Sequence, residues 1–555
     1  MPRRTTRTVR GLVAVLLLCV SAIGLGACGG GGGDDDGKTN RGSAKGGGSI
    51  IVATSAAADD LDPARANSAV AWQALWNVYT PLLTYPHSAG IEGGKLIPGL
   101  ARSLPQISAD GKTYKLTLRK GLTYSDGTAV KASDFEHTIK RILKLHSAGL
   151  SLFTVIDGAE KYLDDDNAQA DIPGIDADDK TGEITIRIRA PRSTFANVLA
   201  LDYGGLVPGD TPFENQTPKP PPGVGPYKIE NVDSRRNFDL VKVPGFAVEG
   251  LDPGKLDKIT VTTVKNRRRA TEDTVRNKID LMIDPPAPDQ VTAIREQYKG
   301  KRYKQFPINA AYYFFLNERI APFDNKKVRQ AVNHAVDRRA ISRLAGGLVE
   351  PNCNFLPATI KGFRKMDPCP YEPPNLDEAK ALVKQAGAEG AEVSVFGTDA
   401  SETKAIVEYV ADAMNRIGLN ARPRTFEGSV YYDVVGDQKT RAQAGFASYG
   451  QDFPNPNTFS FLIDGRSITE TGNPNPGNID DPVINKLIDR AGTSTNLDAV
   501  ADDYAAIDRR LVEEAHIIPY GSRLLSAFAS DRVDFDNCIV WHPVYNVDFT
   551  KLCLK

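Results

Sequence analysis

The sequence predicts a mixed α/β fold, and three observations carry that prediction. From Ser49 onward, short stretches with two-residue apolar alternation are interleaved with stretches of helical periodicity, the pattern of strands and amphipathic helices sharing one chain. Between 376 and 426 the order is helix, strand, helix, strand, the kind of unit that builds parallel sheet with ligands at the carboxyl ends of its strands. The composition is that of a globular body: 555 residues, 41% hydrophobic and 25% charged, long enough for two or three domains.

The amino terminus reads as a location signal. Arg3, Arg4, Arg7 and Arg10 lead into "GLVAVLLLCVSAIGL", a basic head and an apolar run that predict an export signal over 1–27. The run is shorter than the ~20 apolar residues of a spanning helix, and no later run approaches that length. "LGAC" resembles the lipobox of bacterial lipoproteins, which makes Cys28 the expected lipid-modified residue. The glycine- and aspartate-rich segment 28–48 has no core to pack and reads as a flexible tether. Together these features predict an exported protein, lipid-anchored at the outer face of the cytoplasmic membrane or periplasmic.

The elements follow in order. "KTYKLTLRK" alternates as a strand after the turn "ADG", and "GEITIRIRAP" repeats the device with Ile184, Ile186 and Ile188 on one face. Between them lies a helix with Phe135, Ile139 and Ile142 on one side, for which Ser133 is the expected cap. The proline cluster "TPKPPPGVGPY" over 217–227 reads as a rigid loop, and the triplet "RRR" at 267–269 as a solvated turn or helix start. "AAYYFFLN" reads as a buried strand. Val328, Ala331, Val332, Ala335 and Val336 then mark one long helix, with Asp324 as its expected cap and Gly346 at its end. Asp377 is expected to open "EAKALVKQA", which Gly387 ends; "AEVSVFG", "SETKAIVEYVADAMNRIG" and "LNARPRTF" continue as strand, helix and strand. Two amphipathic helices, around 482–492 and 497–515, precede a return to strand in "IIPYGSRLLSAFA".

Charge and motif content exclude several functions. Without the leader the formal balance is −5, against a nucleic-acid partner, which needs a basic face. Beyond Cys19 and Cys28 four cysteines remain, Cys353, Cys369, Cys538 and Cys553, which allow three pairings. The two local pairs, Cys353 with Cys369 and Cys538 with Cys553, fit an oxidising compartment, and each such loop is worth about 3 kcal/mol in the chain-entropy picture. Zinc is the rival reading, without a C-x-x-C or H-x-x-x-H spacing to support it. The six histidines have no metal or catalytic spacing, no G-x-S-x-G occurs, and "DGKT" has Gln106 where a phosphate loop needs its first glycine. No enzyme, cofactor or metal site is expected.

Five segments resemble, in order, the solute-binding proteins of the dipeptide and oligopeptide family of ABC importers. They are "LDPARANSAVAWQALWNVYTPLLTY", "LRKGLTYSDGTAVKASDFEHTIKRI", "GVGPYKIENVDSRRNFDLVKVPGF", "YFFLNERIAPFDNKKVRQAVNHAVDRRAI" and "SYGQDFPNPNTF", with Val224, Tyr124 and Ser125 departing from the family's usual residues. The resemblance implies a two-lobed, periplasmic-binding-protein-like α/β fold of class II, with two interlobe crossovers and closure over the ligand. It gives 49–309 plus 518–555 to one lobe and 310–517 to the other. It implies a monomer that captures a short peptide and delivers it to permease and ATPase subunits. Asp452 stands where relatives pair a carboxylate with the ligand's α-ammonium, a strong charge-assisted bond in a closing cleft. Phe453 and Asn455 depart from the family's loop pattern. Tyr449 and Phe453 in the same loop, and Trp72, are expected pocket walls, and Arg364, inside the Cys353–Cys369 loop, a partner for a ligand carboxylate. Nickel complexes, sugars or other small solutes remain alternatives on the same scaffold. A secreted hydrolase using Asp452 with Asp464 is the reading from another class.

Overall fold

Tyr114 and Leu116 alternate with polar residues, as do Ile184 and Ile186, so two strands paired in register bury one apolar face. The computed structural model of the chain, which describes residues 47–233, 236–494 and 496–555, pairs Tyr114 with Ile186 and Leu116 with Ile184 across antiparallel strands Thr113–Thr117 and Glu183–Arg187. All four side chains are buried. With Gln106–Ile107 and Ile175–Asp178 outside them, they form a four-stranded antiparallel sheet. Helix Ser133–Lys144 belongs to the same core through Phe135, Ile139 and Ile142.

The sheet with the most strands among the described residues has eight. Its order runs Tyr303–Pro307, Ser522–Ala529, Leu281–Met282, Ser49–Thr54, Lys258–Thr263, Asn237–Lys242 and Tyr227–Asp233, with Val349–Glu350 branching from Ser522–Ala529. A five-stranded sheet runs Asn420–Phe426, Glu392–Thr398, Ala444–Gly450, Ala310–Leu316 and Ile517–Pro519. Its first three strands are parallel, as the helix-strand rhythm of 376–426 predicts. The chain leaves the large sheet at Pro307 and enters the smaller at Ala310; it returns between Pro519 and Ser522. Val349–Glu350 also pairs with Arg523 and Ser522 beside that return.

The quoted motifs are largely structural. Gly223 and Gly225 of "GVGPY" lie so close to the 77–79 backbone that a Cβ would come within 2.3 Å of the Val78 carbonyl oxygen and 2.5 Å of the Asn77 one. Val224, buried between them, accepts the Thr80 N–H at 3.1 Å. Arg329 and Arg338 of "VRQAVNHAVDRR" are buried and donate to main-chain carbonyls of Ala515 and Pro519, at 3.2 and 2.7 Å, just before the chain returns to the large sheet. Burial lowers the Arg338 guanidinium to about 10. Asp62 of "LDP" takes two hydrogen bonds from the buried Arg141, at 3.0 and 2.7 Å.

Helix ends depart from the sequence reading at three caps. Ser133 caps nothing: its N–H and hydroxyl both donate to Asp179, at 2.8 and 2.9 Å. Asn325 rather than Asp324 caps Lys326–Ala335, and the expected long helix breaks at Val336, where Asp337 caps a second helix, Arg338–Leu344. Asn375, not Asp377, caps Leu376–Gln385. The triplet at 267–269 starts a helix capped by Asn266. Both local cysteine pairs are disulfides, with Cα separations of 5.9 Å for Cys353–Cys369 and 5.6 Å for Cys538–Cys553. They offer no thiolates for zinc. The export signal, Cys28 and the tether up to 46 lie outside the described residues. Among the described residues, no helix is long and apolar enough to cross a membrane.

Candidate functional site

Strand Ala444–Gly450 delivers the chain to a short loop, and Pro456 with the Asn455 cap starts the 3-10 helix Pro456–Leu462. Asn, Asp and Pro are turn formers, so this chemistry alone explains a tight connection. The side chains add more. The Tyr449 hydroxyl donates to the Asp452 carboxylate, 3.1 and 3.0 Å from its two oxygens. Thr458 accepts the Asp452 N–H at 3.1 Å and lies 3.3 Å from its carboxylate. Tyr449 is itself held edge-on by Phe461 at 4.9 Å and Phe459 at 6.4 Å.

Among the described residues Asp452 has no ion-pair partner, although it is only partly exposed. Burial pushes its carboxyl above the usual range, and the Tyr449 and Thr458 hydrogen bonds and the Arg192 charge offset part of that push. Burial likewise raises the Tyr449 hydroxyl, and the facing carboxylate raises it further. Arg192 acts on Asp452 through space, while its Nε donates to the Thr194 hydroxyl at 3.3 Å. A carboxylate so placed gains most from a cation supplied from outside.

The other expected site residues are placed differently. Trp72 is half-buried; its indole N–H donates to the Ala66 carbonyl at 3.0 Å, and its ring meets Tyr203 edge-on at 5.3 Å. Tyr203, whose hydroxyl senses the Asp452 charge, belongs to the same core cluster as Phe453 of the loop. Phe453, expected as a pocket wall, is 3% exposed and belongs to the core of the four-stranded-sheet region with Trp76, Tyr203 and Tyr545. Arg364 is exposed and donates to the Phe363 carbonyl at 3.0 Å and to Asp502 at 3.4 Å, in a separate depression with Arg509 and Glu513. Asp464 caps the next 3-10 turn and pairs with Arg466 at 2.7 Å, so it is committed locally rather than opposed to Asp452.

Two residues that the sequence reading did not single out flank the loop. Gln451 donates its N–H to the Asn309 carbonyl and its side-chain amide to the Pro543 carbonyl, both at 2.9 Å. Its Oε1 and the Asn309 Nδ2 are buried without hydrogen-bond partners among the described residues. Asn309 lies in the short connection between Pro307 and Ala310 where the chain changes sheets. No local sequence signal marks either residue, because their roles depend on that connection meeting a loop about 140 positions downstream.

The loop thus presents a turn-borne carboxylate where a large and a small mixed sheet meet. The profile of the bacterial extracellular solute-binding proteins, family 5 middle, matches residues 95–469. The chain belongs to that family, whose members are substrate-binding components of ABC transporters. The glutathione-binding protein GsiB of Salmonella choleraesuis (strain SC-B67) is 25% identical over 369 residues, 65% of this chain and 66% of that protein. The chain thus spans slightly under two thirds of the length of that relative. The periplasmic murein peptide-binding protein MppA of Escherichia coli (strain K12) is 24% identical over 481 residues, covering 83% of this chain and 84% of that one. Among solved structures, the clavulanic acid biosynthesis oligopeptide binding protein 2 superposes with a TM-score of 0.81 at 23% identity, covering 92% and 96% of the two chains. The two-lobed α/β fold is therefore established, and the relatives are solute-binding transport proteins rather than enzymes.

Proposed function

We propose that the protein captures short peptides carrying a free α-amino group, holds them at Asp452, and delivers them to the permease and ATPase subunits of an ABC importer. The carrying observation is the Asp452 carboxylate itself: partly buried, oriented by Tyr449 and Thr458, and in no ion pair among the described residues. In this reading 49–309 plus 520–555 and 310–519 are the two lobes, the expected boundary at 518 moving to 520 because Ile517–Pro519 pairs with Ala310–Leu316, and the 308–309 and 520–521 connections are the hinges. Lipidation of Cys28 and the 28–48 tether moor a monomeric body outside the membrane. Relatives named for glutathione, murein peptide and oligopeptide support this ligand class.

Calorimetric titration with a mixed tripeptide library, free and N-acetylated, tests the reading. A charge-assisted hydrogen bond is worth about 1.5–3 kcal/mol, so acetylation weakens binding roughly 10- to 100-fold. Asp452→Asn removes most of that discrimination. Equal binding of the two libraries by the unaltered protein overturns the proposal.

A further inference from the structure

A concavity of about 770 Å³ shares no lining residue with the Asp452 loop. Segments 119–125, 223–225 and 243–249 enclose it together with Arg102, and no residue of 310–519 takes part. Three of its lining side chains, Arg102, Arg119 and Lys120, are cations, and Glu249 is the one acid among the described lining residues. Arg119 is the innermost cation: its side chain is 16% exposed, and the Gly99 carbonyl accepts its Nε at 2.8 Å. Arg102 and Lys120 are exposed, and neither side chain has a partner among the described residues.

Glu249 shows what the concavity admits. Its side chain is 94% exposed, yet its Oε2 lies 3.3 Å from the Arg119 Nη1. An ion pair so open to water contributes little to stability. It demonstrates instead that an anionic oxygen arriving from solvent reaches a guanidinium already held in place.

Main-chain donors supply a second, independent observation. Gly223, Val224 and Gly225 are buried and line the same concavity. The carbonyls of Gly223 and Val224 accept the N–H groups of Ser125 and Thr80, at 2.9 and 3.1 Å. The N–H groups of all three residues have no acceptor among the described residues. Main-chain donors in buried segments are nearly always paired, and an oxyanion accepts N–H and guanidinium donors together in charge-assisted bonds. A phosphate monoester brings nearly two negative charges and three acceptor oxygens, the complement of this donor set, whereas the Glu249 carboxylate engages Arg119 alone. The volume far exceeds that of a bare phosphate, and Leu122, Phe246 and Val248 give the remainder an apolar side.

We propose that this concavity is a second binding site, which takes a phosphate monoester group carried by a small organic molecule or by a lipid headgroup. Arg119 and the 223–225 N–H groups are the inner donors, Arg102 and Lys120 guard the rim, and Glu249 holds the Arg119 end until the phosphate displaces it. The site stands apart from the peptide reading, since none of its residues approaches Asp452 through a contact described above.

Calorimetry of the full chain with phenyl phosphate tests the site, and flotation with phosphatidic acid or phosphatidylcholine vesicles separates the two sources. Phenyl phosphate is expected to bind saturably, and Arg102→Gln/Lys120→Gln, whose changes fall on exposed side chains, to weaken it about 10-fold or more. Glu249→Gln is expected to tighten it about 2- to 5-fold by removing the competing carboxylate, and an unchanged affinity there contradicts the displacement. If phosphatidic acid vesicles retain more of the chain than phosphatidylcholine vesicles and phenyl phosphate releases the excess, the site takes a headgroup; if the two vesicles are alike while phenyl phosphate binds, it takes a soluble ester. No saturable binding of phenyl phosphate, or binding that the double variant leaves unchanged, overturns the assignment.

Discussion

Asp62→Ala is expected to destabilise the fold strongly, because it strands a buried charge. The Asp62 carboxylate is fully buried and accepts four hydrogen bonds: two from Arg141, at 3.0 and 2.7 Å, and one each from the N–H groups of Ala64 and Gln216, both at 3.0 Å. Arg141 is 1% exposed, and its remaining bonds go to the carbonyls of Pro212 and Glu214, at 2.9 and 3.1 Å. Carbonyls orient a guanidinium but do not neutralise it. Removing the carboxylate therefore strands a buried charge, at about 3–5 kcal/mol. At a urea slope of ~3 kcal/mol/M this moves the unfolding midpoint down by about 1 M or more. The assay is tryptophan fluorescence, because Trp72, Trp76 and Trp541 are the chain's three tryptophans and none lies in the five-stranded sheet. The transition thus reports on the part of the molecule that holds the pair. Asp62→Ala/Arg141→Met, which removes both charges, is expected to be less destabilised than the two single variants summed, by ~2 kcal/mol. A single variant costing under ~1 kcal/mol, or strict additivity in the cycle, refutes the reasoning.

Two further outcomes follow from burial. Phe453 is the sole member of its core cluster drawn from 310–517 among the described residues, so Phe453→Ala, at about 3–5 kcal/mol for a buried phenylalanine, should release the loop from that core. The expected result is amide exchange at Asp452 and Asn455 faster by roughly 100-fold, with strand Glu183–Arg187 unchanged; equal acceleration in both places contradicts it. His542 is 0% exposed, its Nδ1 accepts the N–H groups of Val544 and Tyr545 at 3.1 and 3.2 Å, and burial pushes it down to about 3 despite the nearby Asp548. The unfolded chain takes up a proton near pH 6.5 that the folded chain refuses, so stability is full above that pH and falls as pH drops towards 3, by ~2 kcal/mol at pH 5. His542→Gln should flatten the pH 8 to pH 5 slope of the urea midpoint by that amount, and an unchanged slope argues against the assignment.

What could be read from the sequence divides according to how far a residue's partner lies along the chain. Periodicity is local and strong, so the strands at 113–117, 183–187 and 310–316 and the helices at 401–416 and 482–493 stand where alternation and heptad-like spacing place them. Caps turn on a single hydrogen bond, and neighbours compete for it: Asn325 wins over Asp324, while the first turn at Ser133 is served by Asp179, 46 positions away. The site is nonlocal almost entirely. Asp452 stood out through resemblance, because "QDFPNP" on its own is equally a turn; Arg192, Asn309 and Gln451 carry no pattern at all. Phe453 marks the limit most clearly. In sequence it is one more aromatic residue beside the anchor, and an aromatic beside an anchor reads as a pocket wall. In the fold, Pro454 and Asn455 line a cavity while Phe453 is buried in the core, so the residue fixes the loop that presents the carboxylate. The direction in which that ring points is set by a core assembled from 64–224 and Tyr545, and no stretch around 453 encodes it.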